Sequence, residues 1–186
     1  VSTPEALWQW LLDRSELDAA LQEDVGWRYI RMTCDTANEE LTKAYTVFVT
    51  EIQPKIAPVS HQLDMKLLES PALSALNHPG LGIAIRQLRK RTEIFREENV
   101  ALIAEMQTKE QQFGAISGAM TVEVDGKTLT LQQAANYLES NDRAKREEVY
   151  RKILDRRLQD REQLDQLFNE LVKLRHTVAC NAGFSN

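Results

Sequence analysis

Between residues 120 and 131 the apolar pattern of this chain switches from a helical period to a period of two. Met120-Thr121-Val122-Glu123-Val124 and Lys127-Thr128-Leu129-Thr130-Leu131 flank Asp125-Gly126, a dipeptide suited to the positive φ values of a type I′ hairpin turn. With that turn, Val124 faces Lys127, Val122 faces Leu129 and Met120 faces Leu131 on one side of the ribbon, while Thr121/Thr130 and Glu123/Thr128 fill the other. A lone hairpin is marginal in water, so its apolar side has to lie against helices, and a one-residue slip would expose the whole apolar set. The sequence therefore predicts a mainly α fold: a multi-helix domain with long antiparallel helices and one small β-hairpin at about 120–131.

The flanking segments carry the helical period. Pro4 suits a first helical turn, and Leu7, Trp8, Leu11 and Leu12 follow at helical spacing, predicting a short amphipathic helix. Ser15 is read as the cap of a second helix that buries Leu17, Leu21, Val25, Trp27, Tyr29, Ile30 and Met32, with Gly26 marking a close contact or a break. Thr36 or Asn38 caps a third helix, whose Leu41, Tyr45, Phe48, Val49 and Ile52 run to a boundary at Pro54, unless Pro54 and Pro58 bend one longer element. Val59, Leu63, Leu67 and Leu68 continue the pattern. A looser stretch from Ser70-Pro71 to Asn77-His78-Pro79-Gly80 is the best linker, dividing a lobe at 1–76 from long helices plus hairpin at 77–186.

Residues 83–113 read as one helix of about 45 Å, with Ile85, Leu88, Thr92, Phe95, Asn99, Leu102, Ile103 and Met106 on its inner stripe and Gly114 and Gly118 interrupting it. Thr130-x-x-Gln133 forms a capping box for a helix holding Ala134, Ala135, Tyr137 and Leu138. Asn141 or Asp142 then opens a very long helix to about Ala182, stopped by Gly183. Its apolar positions are Val149, Ile153, Leu158, Leu164, Leu167, Phe168, Leu171, Val172 and Val178. The stripe thins between Leu158 and Leu164, where exposure, a bend or a break is expected.

Composition narrows the function. The chain has 186 residues, 42% hydrophobic, 27% charged, with 7 Gly and 5 Pro, which suits a folded helical protein and not a disordered one. A net charge of −5 repels phosphate backbones, so no nucleic-acid partner is expected. Apolar runs are too short to cross a bilayer and Val1-Ser2-Thr3-Pro4-Glu5 lacks a basic leader, so no membrane is expected and the reading is cytoplasmic. Cys34 and Cys180 form no C-x-x-C pair and read as reduced thiols.

No residue pattern here promises chemistry. His61, His78 and His176 stand apart without a second ligand at metal spacing, there is no H-E-x-x-H and no G-x-S-x-G, and neither Cys sits in an activating sequence. Glu39-Glu40 and Glu97-Glu98 lie on charged helical stretches, where adjacent side chains diverge by about 100°. Arg86, Arg89, Lys90 and Arg91 form the strongest basic cluster, but Glu93, Glu97 and Glu98 are close and no aromatic ladder accompanies them. Trp8, Trp10 and Trp27 read as packing anchors. No catalytic, cofactor-binding or metal residue is assigned, and the substrate-binding residues are unknown at this level.

Longer stretches carry a resemblance. Residues Trp27-Arg28-Tyr29-Ile30-Arg31-Met32-Thr33-Cys34-Asp35-Thr36, Phe113-Gly114-Ala115-Ile116-Ser117-Gly118-Ala119-Met120-Thr121-Val122, Leu129 to Ala135, Arg146 to Lys152, Leu174-Arg175-His176 and Asn181-Ala182-Gly183-Phe184-Ser185-Asn186 resemble the N-terminal half of oligoendopeptidase F, a bacterial branch of the thimet-oligopeptidase family. The resemblance implies helices that wall a deep channel, admitting short unfolded peptides to zinc held elsewhere. In the family the H-E-x-x-H helix and a further Glu ligand lie downstream of the Asn-Ala-Gly-Phe segment, so none of them carries over to this sequence. The expectation is the helical substrate-channel portion of a zinc-dependent oligoendopeptidase that hydrolyses short peptides, without a cofactor of its own and inactive alone. Its start at Val1 and end at Asn186 suggest a piece of a longer protein, with a missing C-terminal catalytic domain as partner. Apolar surface meant for that domain could form a homodimer. The alternative is a stand-alone helical protein-interaction module.

Overall fold

A computed structural model describes residues 3–185; Val1, Ser2 and Asn186, the last closing the final resembling segment, lie outside the described residues. The architecture is mainly α with one two-stranded antiparallel sheet among the described residues. The chain gathers into two compact units, Val1–Glu105 with Arg175–Asn186, and Met106–Leu174.

The first unit opens with α1, Pro4–Cys34, whose N-cap Thr3 accepts a hydrogen bond from the Ala6 N–H. The helix runs 31 residues without a break, so Ser15 caps nothing. A capping residue is only an option; here the stripe Leu7, Leu11, Arg14 carries the helix past it, with Leu7 1% exposed and Arg14 buried. Gly26 is likewise inside α1, and a Cβ there would meet nothing within 4 Å, so it marks neither a close contact nor a break.

Asn38 is the cap of α2, Glu39–Val47, its side chain accepting from the Glu40 and Leu41 N–H groups. One turn of π-helix, Phe48–Ile52, then joins α2 to α3, Gln53–Leu68. Pro54 lacks an N–H and its ring crowds the preceding turn, and the chain relieves this by widening the turn, the Gln53 N–H donating to the Phe48 carbonyl. The two prolines therefore sit in one longer helical path, with Pro58 inside α3. A 3-10 turn, Pro71–Ala75, and a loop ending at Gly80, φ +83°, lead to α4, Leu81–Ile94. Leu7, Leu67 and Ala72 form the core here, with Trp10, Leu11, Leu73, Leu76, Ile85 and Leu88 packed around them.

The single helix expected over 83–113 is two. Phe95 is extended, and α5, Glu98–Gly118, begins after a turn. Side chains explain the break: the Phe95 ring stacks on His61 at 4.1 Å, and Arg96 donates to the Glu93 and Phe95 carbonyls at 3.0 and 2.7 Å, satisfying acceptors a longer helix would have used. Gly114 does not interrupt α5, which ends at Gly118.

In the second unit, β1, Thr121–Val124, pairs with β2, Lys127–Thr130, in the expected register: Thr121 with Thr130, Val122 with Leu129, Glu123 with Thr128, Val124 with Lys127. Asp125 and Gly126 have φ of 53° and 73°, as the I′ turn requires. The Thr130/Gln133 capping box starts α6, Leu131–Ala135, followed by the 3-10 turn Asn136–Glu139. Asp142 caps α7, Arg143–Gln159. Val122, Val124, Ala134, Val149 and Ile153 form one core, so the apolar side of the ribbon lies on α6 and α7.

The very long helix expected to about Ala182 is two: of the exposure, bend or break expected between Leu158 and Leu164, a break occurs at Asp160, whose carboxylate pairs with Arg156, and α8 follows as Arg161–Asn181. Gly183, φ +94°, ends it in a Schellman motif: the Gly183 and Phe184 N–H groups donate to the Cys180 and Ala179 carbonyls at 2.9 and 3.0 Å.

Candidate functional site

The most buried charged group in the first unit is Asp64 on α3, 2% exposed. A carboxylate taken out of water needs counter-charges and hydrogen bonds on both oxygens. Arg14 of α1 supplies one, its Nη2 at 2.5 Å from Oδ1, and Arg91 of α4 the other, Nε at 2.8 Å and Nη2 at 2.6 Å from Oδ2. Arg14 also donates to the Ser60 carbonyl and hydroxyl at 3.3 and 3.2 Å and lies 3.6 Å from Asp18. Both Asp64 oxygens thus accept from guanidinium groups, an arrangement that clasps α1, α3 and α4 together. The sequence does carry a signal for this cluster: Arg14 falls on the apolar stripe of Leu7 and Leu11, where a charge must find a partner.

Each histidine is engaged locally. His61 stacks on Phe95, His78 stacks on Trp8 at 4.3 Å, and His176 Nε2 lies 3.5 Å from Cys180 Sγ one turn along α8. Among the described residues no three His, Cys, Asp or Glu side chains gather as a metal-holding group, so the donors present do not fit a zinc centre. Cys34 and Cys180 are free and exposed.

The basic cluster is divided by the fold. Arg91 serves Asp64, and Lys90 pairs with Glu93 at 2.8 Å. Arg86 and Arg89, with the Lys90–Glu93 pair, line an open groove of about 910 Å³ whose walls are the 3-10 turn, the loop 76–80 and α4, with Leu73, Leu76 and Ile85 along it. The groove thus sets aliphatic side chains beside cations.

In the second unit the charged side chains brace the hairpin. Lys145 of α7 reaches Asp125 at 2.5 Å and Glu148 at 3.2 Å, and Lys152 reaches Glu148 at 2.7 Å and donates to the Glu123 carbonyl at 2.9 Å. Lys152 first, then Lys145, holds the Glu148 carboxyl below its usual range, while the hydrogen bond to Asp125 raises Lys145. Across α5 and α8, Lys109 and Glu170 pair at 2.7 Å, and this bond lowers the Glu170 carboxyl.

Several residues expected in the core are instead exposed: Leu17, Trp27, Tyr29 and Ile30 on α1, Ile103 on α5, and Leu158, Phe168 and Val172 on α7 and α8. Trp27 is 51% exposed and carries Arg31 over its ring at 5.9 Å, whereas Trp10 packs on the first core. These helices have more than one apolar side, and the described chain covers only one of them.

The class is a mainly α domain with one helix-backed ribbon. Residues 1–95 match the Peptidase M3 N-terminal domain, and the chain belongs to that family. Among solved structures, a chain described as an oligoendopeptidase F from Bacillus anthracis shares the fold with a TM-score of 0.79 at 20% identity, covering 86% of this chain and 29% of that one. Another described as oligoendopeptidase F gives 0.81 at 20% identity, covering 98% and 35%. PZ peptidase A, solved with an inhibitor, gives 0.79 at 21% identity, covering 86% and 28%. The chain therefore spans about a third of the length of these structures. No curated protein sequence matches it. No described helix is long and apolar enough to cross a membrane.

Proposed function

We propose that the chain is the N-terminal, channel-shaping portion of a cytoplasmic, zinc-dependent oligoendopeptidase that hydrolyses short peptides. The family match over residues 1–95 carries this reading, and the shared fold with chains about three times as long supports it. Because the donors described here do not fit zinc, the metal and its H-E-x-x-H helix would belong to a region outside this sequence. The helices of this chain would select by shape, excluding folded proteins, while the other region cuts.

The test is hydrolysis of an internally quenched short peptide. The purified chain with added zinc is expected to show no turnover; the same chain joined to a downstream region bearing H-E-x-x-H is expected to turn over and to lose activity to a chelator. Robust zinc-dependent cleavage by the chain alone would overturn the proposal. The exposed apolar residues of α7 and α8 support a second reading, a stand-alone interaction module, which gains if a joined catalytic region restores nothing.

A further inference from the structure

We infer that the groove between the 3-10 turn Pro71–Ala75 and α4 binds short peptides that carry a carboxylate beside apolar side chains. Of the four cations in the cluster, Lys90 and Arg91 are tied to Glu93 and Asp64, whereas the guanidinium groups of Arg86 and Arg89 have no ion pair or hydrogen bond among the described residues. They stand one turn apart on α4, so both guanidinium groups rise from the same helix face. Leu73, Leu76 and Ile85 offer aliphatic surface in the same groove, beside Asn77, His78 and the Lys90–Glu93 pair.

A groove of about 910 Å³ falls in the range that encloses a small ligand or a few residues of peptide. Two unmatched guanidinium groups favour carboxylates, which they hold in paired hydrogen bonds. The one aromatic ring in the lining, His78, is stacked on Trp8, so no row of open faces awaits successive bases, which disfavours nucleic acid. A peptide with alternating acidic and apolar side chains satisfies both halves of this surface. Only the source of such peptides rests on the proposed peptidase function; the binding does not.

Fluorescence anisotropy of the whole chain with dye-labelled Leu-Glu-Leu-Glu-Leu, and with its Gln and Lys counterparts, tests the groove. The Glu peptide is expected to bind about tenfold or more tightly than either counterpart, with an advantage that shrinks in high salt. Arg86→Gln with Arg89→Gln should remove that preference, and Lys127→Gln with Arg151→Gln, an equal charge change on the other unit, should keep it. Equal binding of the three peptides, equal loss in the control, or a preference that survives R86Q/R89Q overturns the inference. Should the double variant fail to fold, a photoreactive Glu peptide on the unaltered chain decides: labels within residues 73–89 support the groove and labels elsewhere refute it. Acidic-peptide binding with no rescue of hydrolysis by a joined catalytic region would retain the groove and sink the peptidase reading; rescue without acidic preference would do the reverse.

Discussion

Asp64 shows how one side chain orders several helices. Asp64→Ala would leave buried Arg14 with only the exposed Asp18, 3.6 Å away, as counter-charge, a change expected to cost about 3 kcal/mol, read from the shift in urea midpoint. Arg91→Ala removes a partner that is 62% exposed and should cost no more than about 1 kcal/mol. Comparable losses in the two variants would show that the clasp does not depend on burial. Glycines separate in the same way. At Gly26 and Gly114 an added Cβ meets nothing within 4 Å and the backbone is helical, so Ala at either is expected to stabilise by about 0.5–1 kcal/mol. At Gly126, φ 73°, the same substitution should destabilise by about 1–2 kcal/mol. Thermal melts of the three variants check the sign. The turn glycine was legible from its Asp-Gly setting; the Asp64 pairs were not, because a helical Asp reads alike whether it faces water or two arginines from elsewhere in the chain.

At the scale of elements, the hairpin and its backing helices make one cooperative piece. Val149 is fully buried beneath the ribbon, and Val149→Ala is expected to cost about 2 kcal/mol, measured as a lower unfolding midpoint. The brace above the ribbon is electrostatic and pH-dependent. Glu148 has its pKa lowered from 4.5 by Lys152 and Lys145, so its contribution is present above 4.5 and fades as pH falls through the depressed folded value. Lys145 is raised above 10.5, so its contribution holds below 10.5 and fades only as pH climbs through the raised value. The Tm gap between the unaltered chain and Glu148→Gln should therefore be open at neutral pH and close in acid; a gap that widens on acidification would refute the brace. Local signals served this unit well, since register, turn, capping box and the Asp160 break all depend on residues near in sequence. The break at Phe95 did not yield to the same reading, because His61, which draws the Phe95 ring out of the helical path, lies on another helix.

For the whole molecule, the telling feature is apolar surface without a cover. Tyr150, Leu154 and Leu158 recur every fourth residue along α7, each one residue beyond the spacing that buries Val149 and Ile153, and Phe168 and Val172 repeat this on α8 beside buried Leu167 and Leu171. Lysine at both Leu154 and Leu158 should shift the unfolding free energy by no more than about 0.5 kcal/mol, since neither side chain is in the core. Sedimentation of the same variant should show less concentration-dependent association than the unaltered chain, as expected if these rows drive contact with other surfaces. The sequence alone determined the mainly α class, the hairpin and its register, the capping box at Thr130, the stop at Gly183 and the family resemblance, and narrowed two caps to Thr36 or Asn38 and Asn141 or Asp142, because each is written in spacing and neighbouring residue type. Only the tertiary structure decided that α1 is unbroken, that 83–113 is two helices, that Arg86 and Arg89 line a groove while Arg91 closes on Asp64, and which apolar stripe of each helix is buried. These depend on which surfaces meet, and a helix with two apolar sides carries no local mark of the one its neighbours will cover.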